Sequence, residues 1–166
     1  MKSRTRARSL ALQVLYEVDM TGHLPGVVLE QRLEEMQPDG QVELSSELVE
    51  FTRQIIGGII PIAEKMDNVI ATFAPEWPFD QIAAIDRNIL RIATWEFAIS
   101  SNTPVKVAIN EAVELAKLYG SDSAPRFING VLDRVRRDLE TQAQQLSDHS
   151  ETSAKSDLSD SSGVPP

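Results

Sequence analysis

FDQIAAIDRNILRIATWEFAIS, residues 79–100, is the stretch that decides the fold. Its apolar positions Ile82, Ile85, Ile89 and Ile92, followed by Glu96–Phe97, recur at three- and four-residue spacing. That period puts them on one face of a helix, whereas a half-buried strand would alternate every second residue. The β-branched content favours a strand locally. The length of the run and the interleaved Arg87 and Arg91 oppose it. The spacing therefore predicts one helix over 79–100.

The segments on either side repeat the same signal. Upstream, Leu10, Val14 and Val18, with Ala7, Ala11 and Leu15 beside them, predict a helix over 5–20, ended near Gly22. A weaker helix is expected over 26–36, then a turn at Asp39-Gly40. Ser45 or Ser46 can cap a third helix through Ile56, whose stripe is Leu48, Phe51, Ile55 and Ile59. Gly57, Gly58 and Pro61 predict a break, although paired glycines also permit close helix packing. A fourth helix over 62–73 ends at the AlaProGluTrpPro segment, 74–78. Downstream, ThrPro at 103–104 opens a helix with Val107, Ala108, Ala112, Leu115, Ala116 and Tyr119 inside, and Gly120 stops it. A last helix begins at AlaProArgPhe, 124–127, turns Phe127, Val131, Leu132 and Val135 inward, and is expected to fade by about Gln142. No stretch alternates cleanly, so the chain is read as all-α, helices packed over helices. Residues 1–142 form the folded domain. Residues 143–166, rich in Ser, Asp and Glu with almost nothing to bury, are read as a disordered acidic tail.

Composition narrows the function classes. The chain has no cysteine, which removes disulfides, thiolate catalysis and Cys-ligated zinc. Its longest uncharged apolar stretch, 55–63, is too short to span a bilayer, and no apolar signal segment follows the basic start. A cytoplasmic protein is the expectation. The net charge of -9 is unevenly spread. The first ten residues hold Lys2, Arg4, Arg6 and Arg8 and no acid, whereas 17–50 hold nine acids against Arg32 alone. A local basic patch can bind phosphate despite the global sign. Arg4 and Arg8, four apart, can project together, and because cations sit poorly at a helix N-terminus they imply either an anionic ligand or a frayed, solvated arm.

Catalytic signatures are missing from the sequence. There is no HExxH, GxxxxGK[ST], GxSxG or glycine-rich βαβ turn. His23 and His149 have no neighbouring ligand set. Glu111 and Glu114 are three apart on one helix, a spacing that suits a metal carboxylate pair, while Glu111 can equally support a cap or pair with nearby Lys or Arg. Asp86, Arg87 and Glu96 share a helix without a recognisable nucleophile. No enzyme and no cofactor are implied. Binding remains, with arginines for phosphates and aromatics such as Phe73 and Phe127 either stacked on bases or buried in the core.

Four stretches carry a family resemblance: RARSLALQVLY at 6–16, ILRIATWEF at 89–97, PVKVAINEAVELAK at 104–117 and FINGVLD at 127–133. Over about 4–137 the chain resembles the NusB family of transcription antitermination factors. The resemblance implies two small helical bundles packed together. It also implies binding of single-stranded boxA RNA jointly with the ribosomal protein NusE, in an antitermination complex on RNA polymerase with other Nus factors, during ribosomal RNA transcription. It carries RNA contact onto Lys2, Arg4, Arg6, Arg8, Phe73, Asp86 and Phe127. Thr5 dilutes the family's arginine run, Phe73 stands where a tyrosine occurs in a well-known member, and Ser123 replaces a position that is often acidic. Asn110, Asn129 and Gly130 are read as structural, the first two satisfying backbone groups at helix junctions and the glycine permitting close helix approach. Two other readings stay open: a protein-binding module without RNA affinity, and a stand-alone relative of the NusB-like domain that precedes some ribosomal RNA methyltransferases.

Overall fold

A computed structural model describes residues 2–159, without the side chains of Phe79 and of 156–159. Among the described residues there are seven α-helices and no strand: α1 Ser3–Thr21, α2 Pro25–Glu35, α3 Ser46–Ile59, α4 Ala63–Thr72, α5 Ala84–Thr94, α6 Val105–Tyr119 and α7 Ala124–Ser159. Helix α1 packs on α2 and α3 to make one small bundle; α5 packs on α4, α6 and α7 to make the second. The two meet where α1 lies against α5. Among the described residues no helix is long and apolar enough to cross a membrane.

Local chemistry explains most boundaries. Gly22, at φ +73°, closes α1 by returning its N–H to the Val18 carbonyl at 2.9 Å. Ser45 caps α3 by accepting from the Leu48 N–H at 3.2 Å. The expected break at Gly57-Gly58 does not occur there. Helix α3 runs through both glycines to Ile59, and the chain turns only at the 3-10 turn Ile60–Ile62 around Pro61. The reason is packing: the missing side chain of Gly58 makes room for the Trp95 ring.

The single helix expected over 79–100 is three pieces: a 3-10 turn Phe79–Gln81, α5 itself, and a π-helical turn Trp95–Ile99. Most of its stripe is buried as expected, with Ile89 at 0% and Ile92 at 2% exposure, while Ile85 is half-buried. The interleaved charge is accommodated by pairing. Arg91 donates to Asp67 at 2.7 and 2.6 Å and to Asp19 at 2.9 Å, which ties α5 to α4 and α1. Val107 and Tyr119, read as inner positions of α6, are instead 44% and 39% exposed. Helix α7 outlasts its packing. The expected limit near Gln142 marks where burial ends, since side chains 140–155 are all exposed, while the helical backbone continues to Ser159. Ala, Gln and Leu at 143–146 favour helix, and no Gly or Pro interrupts the run. Residues 160–166 of the acidic tail lie outside the described residues.

Candidate nucleic-acid interface

Helix α1 sends Arg4 and Arg8 one way and Arg6 another, because residues four apart share a face and residues two apart do not, while Lys2 precedes the helix and lines a hollow with Arg4, Thr5 and Arg8. Arg4 and Arg8 point to α3. The Arg4 guanidinium sits 4.6 Å and that of Arg8 5.3 Å from the Phe51 ring centre. Arg4 is half exposed and pairs with Glu47 at 3.3 Å. Arg8 is buried, with both Nε and Nη2 held by the Glu96 carboxylate at 2.7–3.0 Å. Its place among expected phosphate ligands is therefore corrected. A guanidinium locked in the core by a forked carboxylate contact has no face to offer RNA. Lys2 and Arg6 are exposed. Arg6 borders a hollow with Ser9, Gln13 and Arg32.

Glu111 takes the ion-pair alternative. It accepts from Thr5 Oγ1 at 3.1 Å and lies 3.7 Å from Arg8, while Glu114 pairs with Lys117 at 2.9 Å.

Tyr119 links this basic edge to the second bundle. Its hydroxyl is hydrogen-bonded to Ser9 and accepts from Gln13 Nε2 at 3.1 Å. The next residue, Gly120, lies beside Asp86, whose Oδ1 would be 3.4 Å from a Cβ placed there. Asp86 stands in the first turn of α5. It is 9% exposed and has no hydrogen bond or ion pair among the described residues. Burial pushes its carboxyl above the ordinary value of 3.8. It opens onto a groove walled by Trp77, Ile82, Arg126 and Phe127. The structure thus brings together two expected contacts, Asp86 and Phe127. Phe73 occupies a neighbouring hollow with Arg134 and Arg137, and its carbonyl accepts from Arg134 Nη1 at 2.9 Å. Both rings are half-buried, part core and part surface.

Sequence reading missed Trp77, which is 56% exposed and lies between Pro75 and Pro78 in a stretch read only as a helix stop. It also missed Arg126, adjacent to the quoted FINGVLD motif. The structural roles given to Asn110, Asn129 and Gly130 do not hold. All three are exposed and mid-helix, neither asparagine has a side-chain hydrogen bond among the described residues, and a Cβ on Gly130 would meet nothing within 4 Å. Away from the helix junctions, there are no orphan backbone groups for the asparagines to satisfy.

The NusB family model matches residues 5–137. The transcription antitermination protein NusB of Dehalococcoides mccartyi strain CBDB1 is 45% identical over 143 residues, 86% of this chain and 96% of that protein. The protein of the same name from Roseiflexus castenholzii is 46% identical over 136 residues, 80% of this chain and 90% of its own. Among solved structures, NusB of T. maritima superposes with a TM-score of 0.72 at 30% identity, covering 81% of this chain and 90% of that one. A chain from the crystal structure of the antitermination factors NusB and NusE in complex with dsRNA gives 0.73 at 25% identity, covering 83% and 98%. Sequence, fold and the placement of the matched motifs agree, and the chain belongs to the NusB family.

Proposed function

We propose that this protein is a transcription antitermination factor that binds boxA-type single-stranded RNA together with the ribosomal protein NusE. In this reading it works within the antitermination complex on RNA polymerase, with other Nus factors, in support of ribosomal RNA transcription. One observation carries the reading. In a chain of net charge -9, exposed Arg6 shares a hollow with Ser9 and Gln13, which hold Tyr119, and the residue after Tyr119 lies beside the unpartnered Asp86 of the groove that also holds Phe127. Cations supply phosphate affinity, a half-buried ring supplies a stacking face, and the carboxylate accepts from the amino group of a base or from a partner's N–H. Residues 1–142 carry this function. Titrating boxA RNA with and without the cognate NusE tests the reading. Tighter binding with NusE is expected, and no gain rejects it.

The arm gives a graded prediction. Replacing Lys2, Arg4 and Arg6 by Ala lowers the slope of log K against log salt by about 2, at roughly 0.7 per phosphate contact on a single strand. Fluorescence anisotropy between low and moderate salt measures it, and an unchanged slope removes the arm from the interface.

Asp86 gives a second prediction, with a sign fixed by its pKa. A carboxyl whose folded pKa is raised binds its proton more tightly when folded. Its contribution is neutral below the ordinary value of 3.8, the destabilisation grows as pH rises from there to the raised value, and it is complete above that. Asp86→Asn therefore raises Tm at pH 7 while weakening RNA–NusE binding, and the Tm gain disappears in acid. A fall in Tm at pH 7 would show that the carboxylate has a structural partner.

A further inference from the structure

Helix α1 starts against its own chemistry. Lys2 stands at the N-cap and makes no side-chain cap, and the first turn holds no acid. Lys2, Arg4 and Arg6 all oppose the helix dipole. An isolated helix of this sequence would fray from its first residue. The Arg6 N–H nevertheless bonds the Lys2 carbonyl at 3.0 Å, so the turn is closed from Ser3 onward. Three side-chain contacts tie it down. Ser3 Oγ is hydrogen-bonded to Ser45 Oγ at 3.1 Å, and Arg4 pairs with Glu47 at 3.3 Å, both exposed contacts to the α3 end. Thr5 Oγ1 donates to Glu111 at 3.1 Å, a part-buried contact to α6 in the other bundle.

We propose that Thr5 is a positioning residue for RNA binding: its hydrogen bond to Glu111 keeps the uncapped turn helical, so that Lys2, Arg4 and Arg6 meet phosphates already arranged. This role rests on the RNA-binding reading above. Glu111 is itself fixed, because it lies 3.7 Å from Arg8, which the Glu96 carboxylate holds in the core. Order thus passes outward from the buried ion pair, through Glu111, to the arm. The α3 contacts cannot substitute for it. A phosphate that takes Arg4 displaces Glu47 from an exposed pair, and the Ser3–Ser45 contact is open to water. Thr5 is neutral, so its bond persists when the cations change partners. Lys2, Arg4, Thr5 and Glu111 line one hollow, which puts the latch beside the cations it orients. The hydroxyl that dilutes the basic run therefore offsets the lost charge with order. It spares the complex the entropy of arranging a frayed arm.

Thr5→Val in the full chain removes the donor and alters neither charge nor branching at Cβ. Cα chemical shifts of residues 3–6 read the helicity of the turn, and anisotropy with boxA RNA and NusE reads binding. The shifts should move toward coil, and RNA should bind about three- to ten-fold more weakly, the scale of one net hydrogen bond. The thermal melt should stay put, since only the helix end frays. Thr5→Ser keeps the donor and should restore both readouts. Glu111→Ala should weaken binding too, although loss of an acid beside the cations would by charge alone strengthen it. Combined with Thr5→Val it should bind no more weakly than the weaker single variant, because both break one contact. Wild-type affinity in Thr5→Val overturns the positioning role and leaves the RNA reading standing. Weaker binding with unchanged Cα shifts also overturns it and assigns the hydroxyl to RNA itself, and weaker binding with a lowered melt assigns it to the fold. If the wild-type chain with NusE binds no RNA at low salt, the RNA reading falls and the positioning role with it, while the Cα shifts still report the latch.

Discussion

Arg8→Ala or Glu96→Ala lowers unfolding stability by about 3–5 kcal/mol, because each strands a buried charge whose partner has gone. The side chains are 4% and 1% exposed, and the Glu96 carboxylate also accepts from Thr103 Oγ1 at 3.0 Å. Water cannot replace either partner at that depth. Stability of a domain this size is on the order of 5–15 kcal/mol, so the loss removes a large part of it. Arg4→Ala is the control. Its pair with Glu47 is exposed on both sides, and its loss shifts stability by less than about 1 kcal/mol. Removing both charges with Arg8→Met and Glu96→Leu should recover most of the deficit, since desolvation and attraction nearly cancel in a buried pair. Urea unfolding measures all four variants, and a loss below about 1 kcal/mol for Glu96→Ala would contradict the account. The double variant also decides a functional point. If it folds and binds RNA as wild type does, Arg8 acts by holding α1 to the π-helical turn, and reduced binding by Arg8→Ala alone reflects unfolding.

That residue shows where sequence reading ends. Arg8 sits in a basic run, and a basic run at a helix start reads as a surface. Its burial depends on Glu96, 88 positions away, and no local pattern connects the two. The helical stripes were legible because each is written in one contiguous segment. Ile89 and Ile92 in α5, and Leu10 and Val14 in α1, are buried where the period put them. Phe127 and Asp86 were expected as contacts from the family resemblance alone, and their meeting in one groove comes from the packing of α5 and α7. Trp77 left no periodic trace, since it lies in a proline-bounded loop whose partner wall is 50 residues further on. The exposed Asn129 and Gly130 were misread for a related reason. A glycine in a helix leaves room beside the backbone, and the sequence does not say whether anything fills it: the Trp95 ring does at Gly58, and nothing lies within 4 Å at Gly57 or Gly130.

The adjacent glycines of α3 make the same distinction measurable. Gly57→Ala and Gly58→Ala have identical helix-propensity terms, both favouring alanine by about 0.5–1 kcal/mol. Around Gly57, which is exposed, a Cβ meets nothing within 4 Å. At Gly58 it would fall inside the Trp95 indole, 2.5 Å from Cε2 and 2.8 Å from Cζ2. Trp95 is buried in the π-helical turn, on the element that also carries Glu96, and cannot move aside without disturbing that ion pair. Gly57→Ala is therefore expected to stabilise by about 0.5–1 kcal/mol, and Gly58→Ala to destabilise by about 1–3 kcal/mol through overpacking. The propensity term cancels between them, so their difference reports packing against Trp95 alone. Thermal melts give the two signs, and Trp95 emission shifting to the red only in Gly58→Ala would locate the strain at the ring. Adding Trp95→Leu to Gly58→Ala relieves the clash and should restore more stability than it removes. If both alanines stabilised equally, the close approach of α3 to the π-helical turn would not be what sets this part of the fold.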